Sequence, residues 1–231
     1  MNPRVLYRAA TYATDARAAA DSVISALTPA AWYRNATGVT ESGGFASQWD
    51  DYSGNARHLV QGVGTNQPAY SAGVLTFDGA DNYMVASSWS QAQPTTVALV
   101  GKQISWTPPN TFFDGSSGLS SGRLLQFTAT PQIFLAAPST TAGNSNLTVG
   151  SRGVIVAVFN NASSSIRVNN TTKTTGTAGT NNMGGFVLGA SGGLGAFSNI
   201  TAEEVIIFPS ALSDANQDAV ITALNNALTV F

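Results

Sequence analysis

The strongest constraint on this chain is a recurrence of short apolar runs at Thr95–Val100, Leu124–Phe127, Gln132–Ala136, Gly153–Phe159, Ser165–Val168, Gly185–Leu188 and Thr201–Phe208. Clusters of Gly, Ser, Asn or Pro separate them, and no helical period bridges them. Many short strands with turn signals between them fold as an antiparallel sandwich or barrel. The sharpest example is Gly73–Tyr83. Leu75 and Phe77 alternate with Thr76 as a half-buried strand does, and Asp78-Gly79 then forces a reversal that glycine tolerates at positive φ. Tyr83 and Val85 restart an apolar run, which predicts an inner-face strand followed by its antiparallel neighbour. Ala31-Trp32-Tyr33 opens the β region, and Phe45–Leu59 reads as a Trp-anchored strand end running into an Asp-rich turn. The Thr/Gly/Asn-rich span Asn169–Asn182 reads as a hairpin loop or edge region.

Two segments depart from this pattern. Asn2 can cap a helix that Pro3 opens, and alanines at 9, 10, 13, 16, 18, 19 and 20 sustain it until Thr28-Pro29. Val5, Ala9, Tyr12, Ala16, Ala19 and Val23 recur at alternating spacings of four and three, the seam of a coiled coil or of a helix docked on a partner. Two readings stay open: a helix lying along its own sandwich, or an anchoring and oligomerisation arm. The division expected is a helical arm over 1–29 and a sandwich domain over 30–231. At the far end, Ser213 is a good N-cap with Asp214 in the first turn. Val220, Leu224, Ala227 and Leu228 then form one apolar stripe that should cover part of the sandwich.

Composition excludes some partners. Only 10% of the 231 residues are charged, Lys+Arg 10 against Asp+Glu 12, so no basic stripe exists to neutralise nucleic-acid phosphates. No run of roughly 18 apolar residues predicts membrane insertion. There is no cysteine, hence no disulfide or thiolate metal site. The N-terminus lacks the apolar run of a secretory signal. The expectation is synthesis in a host cytoplasm and residence in a virion, the alternative being a secreted or cell-surface protein whose export signal is missing.

Five blocks in order, Trp49-Asp-Asp-Tyr-Ser-Gly-Asn-Ala-Arg-His-Leu59, Leu75–Tyr83, Ile166–Asn170, Gly185–Ala190 and Glu203–Ala215, resemble the laminin-G-like branch of the concanavalin A-like lectin/glucanase superfamily. The resemblance spans roughly Ala30–Phe231. It implies an all-β jelly roll, two packed antiparallel sheets with an N-terminal helix and a short C-terminal helix beside them, and ligands at the rim loops or on a concave face. Such domains occur in secreted bacterial proteins, adhesive modules and bacteriophage particles, so the resemblance does not fix a function.

Catalytic residues are not evident. Retaining glucanases place two carboxylates about 5–5.5 Å apart on one strand face. Here the three glutamates, Glu41, Glu203 and Glu204, form no such pattern, and neighbours on a regular strand point to opposite faces. His58 is the only histidine, and no nucleophile elbow accompanies it. The hard oxygen donors Asp50, Asp51, Asp78 and Asp81 suit calcium, although each also suits an Asx turn. Trp49, Tyr52, His58, Tyr83, Trp89 and Trp106 are the candidates for contact with a glycan. Taken together, these features predict a non-enzymatic bacteriophage structural protein, a capsid decoration or a head or tail fibre component. It would assemble with itself and other virion proteins and touch host glycans. The alternatives are a secreted carbohydrate-binding module or a polysaccharide-cleaving enzyme.

Overall fold

The computed structural model describes residues 3–141 and 143–231, with the side chains of all of these except 3–13, 87 and 88. Helix α1 (Pro3–Ala26) leads into β1 (Ala31–Tyr33), β2 (Val39–Ser42), β3 (Phe45–Trp49), β4 (Leu59–Val60), β5 (Ala69–Ser71) and β6 (Val74–Asp78). The chain continues through β7 (Met84–Gln91), β8 (Thr95–Gln103), β9 (Thr111–Asp114), β10 (Arg123–Gln126), β11 (Ile133–Ala136) and β12 (Arg152–Phe159). Strands β13 (Ser164–Val168), β14 (Thr174–Gly176), β15 (Met183–Leu188) and β16 (Asn199–Phe208) precede the closing helix α2 (Asp214–Leu228). The two helices and the antiparallel strands fit the all-β sandwich expected from the runs. Each apolar run falls on a strand.

One hydrogen-bonded path joins the strands in the order β11-β10-β9-β15-β7-β4-β3-β5-β6-β16-β8-β12-β13-β14, with β1 beside β16 and β2 beside β3. The path doubles over. Phe113 of β9 meets Phe159 of β12 at a ring separation of 6.4 Å, and Tyr33 of β1 meets Phe186 of β15 at 6.3 Å, so strands distant along the path face each other across the core. Leu75, Phe77, Leu99, Ile155, Val205 and Ile207 from one layer pack with Trp49, Leu59, Met84, Leu124 and Leu188 from the other.

The Asp78-Gly79 turn therefore does something other than join neighbours. Strand β6 pairs with β5 on one side and β16 on the other, while β7 pairs with β4 and β15. Both edges of β6 are taken, and the turn carries the chain to the opposite layer. Gly79 sits at φ 80°, where a side chain is strained, and a Cβ there would lie 3.0 Å from the Asn199 amide.

Strands β8 and β12 are buried on both faces, which is why Thr95–Val100 and Gly153–Phe159 read as unbroken apolar runs instead of alternating ones. Their outward residues Ala98, Val100, Val154, Val156 and Val158 join Trp32, Ile206 and Phe208 in a second core beneath the helices. Helix α2 contributes Val220, Ile221 and Leu224, and Ser213 caps it by accepting from the Asn216 amide at 3.3 Å. From α1, Ile24 enters the same core and Ala20 is buried. Of the seam residues, Ala16, Ala19 and Val23 line a groove of about 1140 Å³ between α1 and α2, whereas the side chains of Val5, Ala9 and Tyr12 lie outside the described residues.

The path ends at β11 and β14. Strand β14 is three residues long, within the Asn169–Asn182 span expected at an edge. Beyond β11, Thr140 and Asn144 make single bridges to Ala136 and Ile133.

A β-bulge decides how α1 is held. The register of β16 against β8 slips between Ala202 and Glu204, leaving Glu203 as the extra residue. Ala202 and Val205 point into the inner core, so both Glu203 and Glu204 fall on the helix-covered face, contrary to the opposite-facing geometry of a regular strand. Glu203 receives Arg152 at 2.8 and 2.6 Å, and Arg152 also donates to the Thr229 and Leu228 carbonyls at the end of α2. Glu204, with no exposed surface, accepts from Arg17 at 2.6 and 3.0 Å and from the Trp32 indole N–H at 2.7 Å. Arg17 also binds Asp21, which in turn accepts from Arg34 at 2.8 Å. Burial alone would lower the Arg17 guanidinium, but hydrogen bonds and charge from Glu204 and Asp21 outweigh it and hold the pKa above the usual arginine value.

Removing one partner of such a buried pair leaves the other charge stranded. Glu204→Ala should lower unfolding stability by about 3–5 kcal/mol. Replacing Arg17 and Glu204 together with Met should cost far less. Urea denaturation followed by tryptophan fluorescence measures both, and a double variant no better than the single one would refute this account of the pair.

Candidate functional site

Where α1 hands the chain to β1, the turn that follows β3 folds back against β1. Asp51 fastens it. Its Oδ1 accepts from the Trp32 and Ser53 amides, both at 2.9 Å, and its Oδ2 accepts from the Arg57 amide at 3.0 Å. Asn55 donates to the Ala30 carbonyl at 3.0 Å, and Arg57 Nη1 reaches the same oxygen at 2.9 Å. The Tyr33 hydroxyl donates to the Arg57 carbonyl at 2.7 Å. Burial holds the Tyr33 phenol well above its usual pKa, with Asp51 adding to the effect and Arg57 opposing it, so the hydroxyl stays a donor.

This fastening leaves an open pocket of about 540 Å³. Tyr52, Ser53, Asn55, Arg57 and Gln91 form its polar wall, above Trp32. Tyr52 is 51% exposed, and its ring meets Trp32 edge-on at 5.0 Å and lies 5.1 Å from the Arg34 guanidinium. The Arg57 guanidinium sits over the Trp89 ring at 4.7 Å. Among the described residues no carboxylate lines the pocket.

The other expected glycan contacts are placed differently. Trp49 is 1% exposed in the inner core, against Tyr33 at 5.8 Å, a position from which stacking on a sugar is closed off. Trp89 is buried beneath Arg57, and its indole N–H has no partner. Tyr83 is half-buried against Phe197 at 6.2 Å, and Trp106 is half-buried in the loop after β8. His58 belongs to the turn: its Nδ1 accepts from the Asp51 amide at 3.2 Å and lies 3.2 Å from Asp50. The structure thus brings Tyr52 to a pocket and buries Trp49 and Trp89. Sequence reasoning missed Arg57, Ser53 and Gln91 as its wall, because their convergence depends on contacts to Pro29-Ala30 and β1 that no local pattern announces.

Of the four aspartates considered for calcium, Asp51 and Asp78 accept from turn amides, and Asp50 and Asp81 accept from neighbouring side-chain amides. Asp50 accepts from Gln48 at 2.7 Å. Asp78 Oδ1 accepts from the Ala80 and Asp81 amides at 2.8 and 3.4 Å, an Asx turn, and Asp81 receives Asn82 at 3.4 Å. Among the described residues no three acidic or histidine side chains converge on a metal position. The remaining buried acid is Asp114 at the end of β9. Its two oxygens accept from the amides of Gly115, Ser120, Ser121, Gly122 and Gly192 at 2.8–3.1 Å, gathering two loops around one carboxylate. Burial pushes this carboxyl above its ordinary pKa, with the amides and Arg123 pulling the other way.

No protein-family model matches the sequence. No curated protein matches it either. Solved structures do resemble it. A Trypanosoma rangeli sialidase variant displaying trans-sialidase activity superposes with a TM-score of 0.63 at 12% identity, over 87% of this chain and 33% of that one. Trypanosoma rangeli sialidase in complex with sialic acid gives 0.59 at 12% identity, over 86% and 33%. A GH54 α-L-arabinofuranosidase soaked with a cyclic sulfate inhibitor gives 0.58 at 12% identity, over 79% and 51%. The chain therefore spans about a third of the sialidase and about half of the arabinofuranosidase. These neighbours correct the expectation of a bacteriophage structural protein. The fold's likenesses are to parts of glycoside hydrolases at 12% identity, which shows a shared fold, and no family model supports the laminin-G branch or a particle protein. Of what the ordered blocks implied, the sheet-rich sandwich is what the structure bears out.

Asp51→Ala should leave three backbone N–H groups without their acceptor and cost about 2–4 kcal/mol of stability. Amide exchange should quicken at Ser53 and Arg57 while the inner-core strands stay protected; unchanged exchange there would contradict the fastening role.

Proposed function

We propose that this chain is a carbohydrate-recognition sandwich that binds a saccharide in the pocket over Tyr52 and does not cleave it. The observation that carries the reading is the half-exposed Tyr52 ring beside Ser53, Asn55, Arg57 and Gln91 in one pocket. A pyranose has apolar C–H faces and a rim of hydroxyl groups. An aromatic ring covers the former, and amides, hydroxyls and a guanidinium serve the latter. The volume of about 540 Å³ falls within the range of small-molecule sites. The turn is pinned to β1 by Asp51, Asn55 and Arg57, so little ordering remains for binding to impose.

The likeness to sugar-processing enzymes supports a carbohydrate ligand, and the chain's carboxylates support recognition without hydrolysis. Glycoside cleavage needs two acids flanking the bond. Glu203 and Glu204 are consumed in ion pairs beneath the helices, Asp114 is enclosed by amides, and the Tyr52 pocket holds no acid.

Tyr52→Ala should weaken binding about tenfold, the equivalent of the roughly 1.4 kcal/mol that an aromatic contact contributes. Titration calorimetry against a panel of neutral and acidic oligosaccharides reads this. Unaltered affinity in the variant would remove Tyr52 from the site, and new reducing ends in a polysaccharide digest would overturn the non-cleaving reading.

A further inference from the structure

The pocket contains an unpaired cation. Of the cationic side chains described, Arg17, Arg34, Arg152, Arg167 and Lys173 are held in ion pairs with Glu or Asp. Arg123 is buried, with Thr111 and the Pro109 carbonyl as partners and Asp114 near enough to act on it by charge. Among the described residues Arg57 and Lys102 have no carboxylate partner; Lys102 lies in a separate pocket beside Arg152, and Arg57 stands in the wall of the Tyr52 pocket. Only its Nη1 is used, on the Ala30 carbonyl, which leaves the Nε and Nη2 edge without a partner among the described residues.

That edge is a planar pair of donors, the shape that meets a carboxylate through two parallel hydrogen bonds. The guanidinium is held in place before any ligand arrives, by the Ala30 carbonyl at one nitrogen and the Trp89 ring at 4.7 Å beneath it. Opposing charge comes from two places, the end of α1 and Asp51. The end of α1 contributes Ser25 and Thr28 to the same pocket, and a helix C-terminus carries about half a negative charge. Asp51 lies behind the same turn, but its oxygens are taken by the Trp32, Ser53 and Arg57 amides, so the Nε and Nη2 edge of Arg57 is the free charge-bearing group in the pocket wall.

We infer that the saccharide bound over Tyr52 is an acidic one, a sugar bearing a carboxylate, with that group seated on the Nε and Nη2 edge of Arg57. This rests on the reading of the pocket as a saccharide site and narrows it to a ligand class. The polar wall of Ser53, Asn55 and Gln91 serves the hydroxyl groups, and Arg57 supplies the discrimination.

The test uses the unaltered full chain with two probes that differ only in charge: a uronic-acid oligosaccharide and its methyl ester. Calorimetric titration at 50 mM salt should give the acid at least tenfold tighter binding, and the gap should narrow at 500 mM as the charges are screened. Arg57→Gln should bring the acid to within threefold of the ester. Arg57→Lys should recover only part of the preference, because a single ammonium cannot make the paired contact. Equal binding of acid and ester by the unaltered chain would overturn this inference and leave the saccharide site standing. Binding of neither, or of both in a manner indifferent to Tyr52→Ala, would overturn the site itself. A sulfated oligosaccharide preferred over the uronic acid would also count against it, since the seated anion would then be a sulfate ester and not a carboxylate.

Discussion

A carboxylate with no exposed surface must find its compensation inside the protein, and Glu204 finds it from two directions. Arg17 comes from α1 and the Trp32 indole from β1, so a single side chain ties a helix and an added strand to β16. The arrangement exists because of one inserted residue. The bulge at Glu203 turns two successive acids to the helix side, where Glu203 holds the end of α2 through Arg152 and Glu204 holds the flank of α1. Apolar contacts from Ile24, Val220, Ile221 and Leu224 supply the bulk of the adhesion, but they are non-directional, and the two ion pairs set where each helix lies.

The same polar chain reaches the pocket. From Glu204 it runs through Arg17 and Asp21 to Arg34, whose guanidinium lies 5.1 Å from the Tyr52 ring. Tyr52 is thus an exposed ring on a turn whose neighbours are fixed on both sides, by Asp51 below and by Arg34 and Trp32 around it. A rigid sheet that positions a short loop is the usual way for a sandwich to bind a ligand. Here the loop lies at the junction where the helix, the first strand and the turn after β3 meet.

Much of the fold was legible because burial writes itself into the sequence. The runs Val97–Val100, Val154–Phe159 and Val205–Phe208 contain no polar residue, which reports strands covered on both sides, and the cap and stripe of α2 were equally plain, while the Asn2 cap expected for α1 lies outside the described residues. Legibility ended where a feature depends on a partner far along the chain. Nothing near Glu203 announces a bulge, since the slip is defined against β8. Asp78-Gly79 looks like a hairpin turn, and only the occupation of both edges of β6 makes it a crossing between layers. Trp49 and Trp89 look like sugar platforms by residue type, yet Trp49 fills the core and Trp89 lies under an arginine. Asp114, which gathers five amides, sits in a short run, Thr111–Asp114, that gave no periodic signal of its own.

The two ends of the strand path bear on how such a chain stays dispersed. With a net charge of −2, electrostatic repulsion between molecules is feeble, and a long free strand edge would recruit other chains. At one end the exposed margin is three residues of Thr-Thr-Gly, too short and too polar to template a partner. At the other, Thr140 and Asn144 occupy hydrogen-bonding positions of β11 that a neighbouring molecule would need. Both ends of the strand path are thus closed by backbone geometry and not by charge, and adding salt should do little to open them.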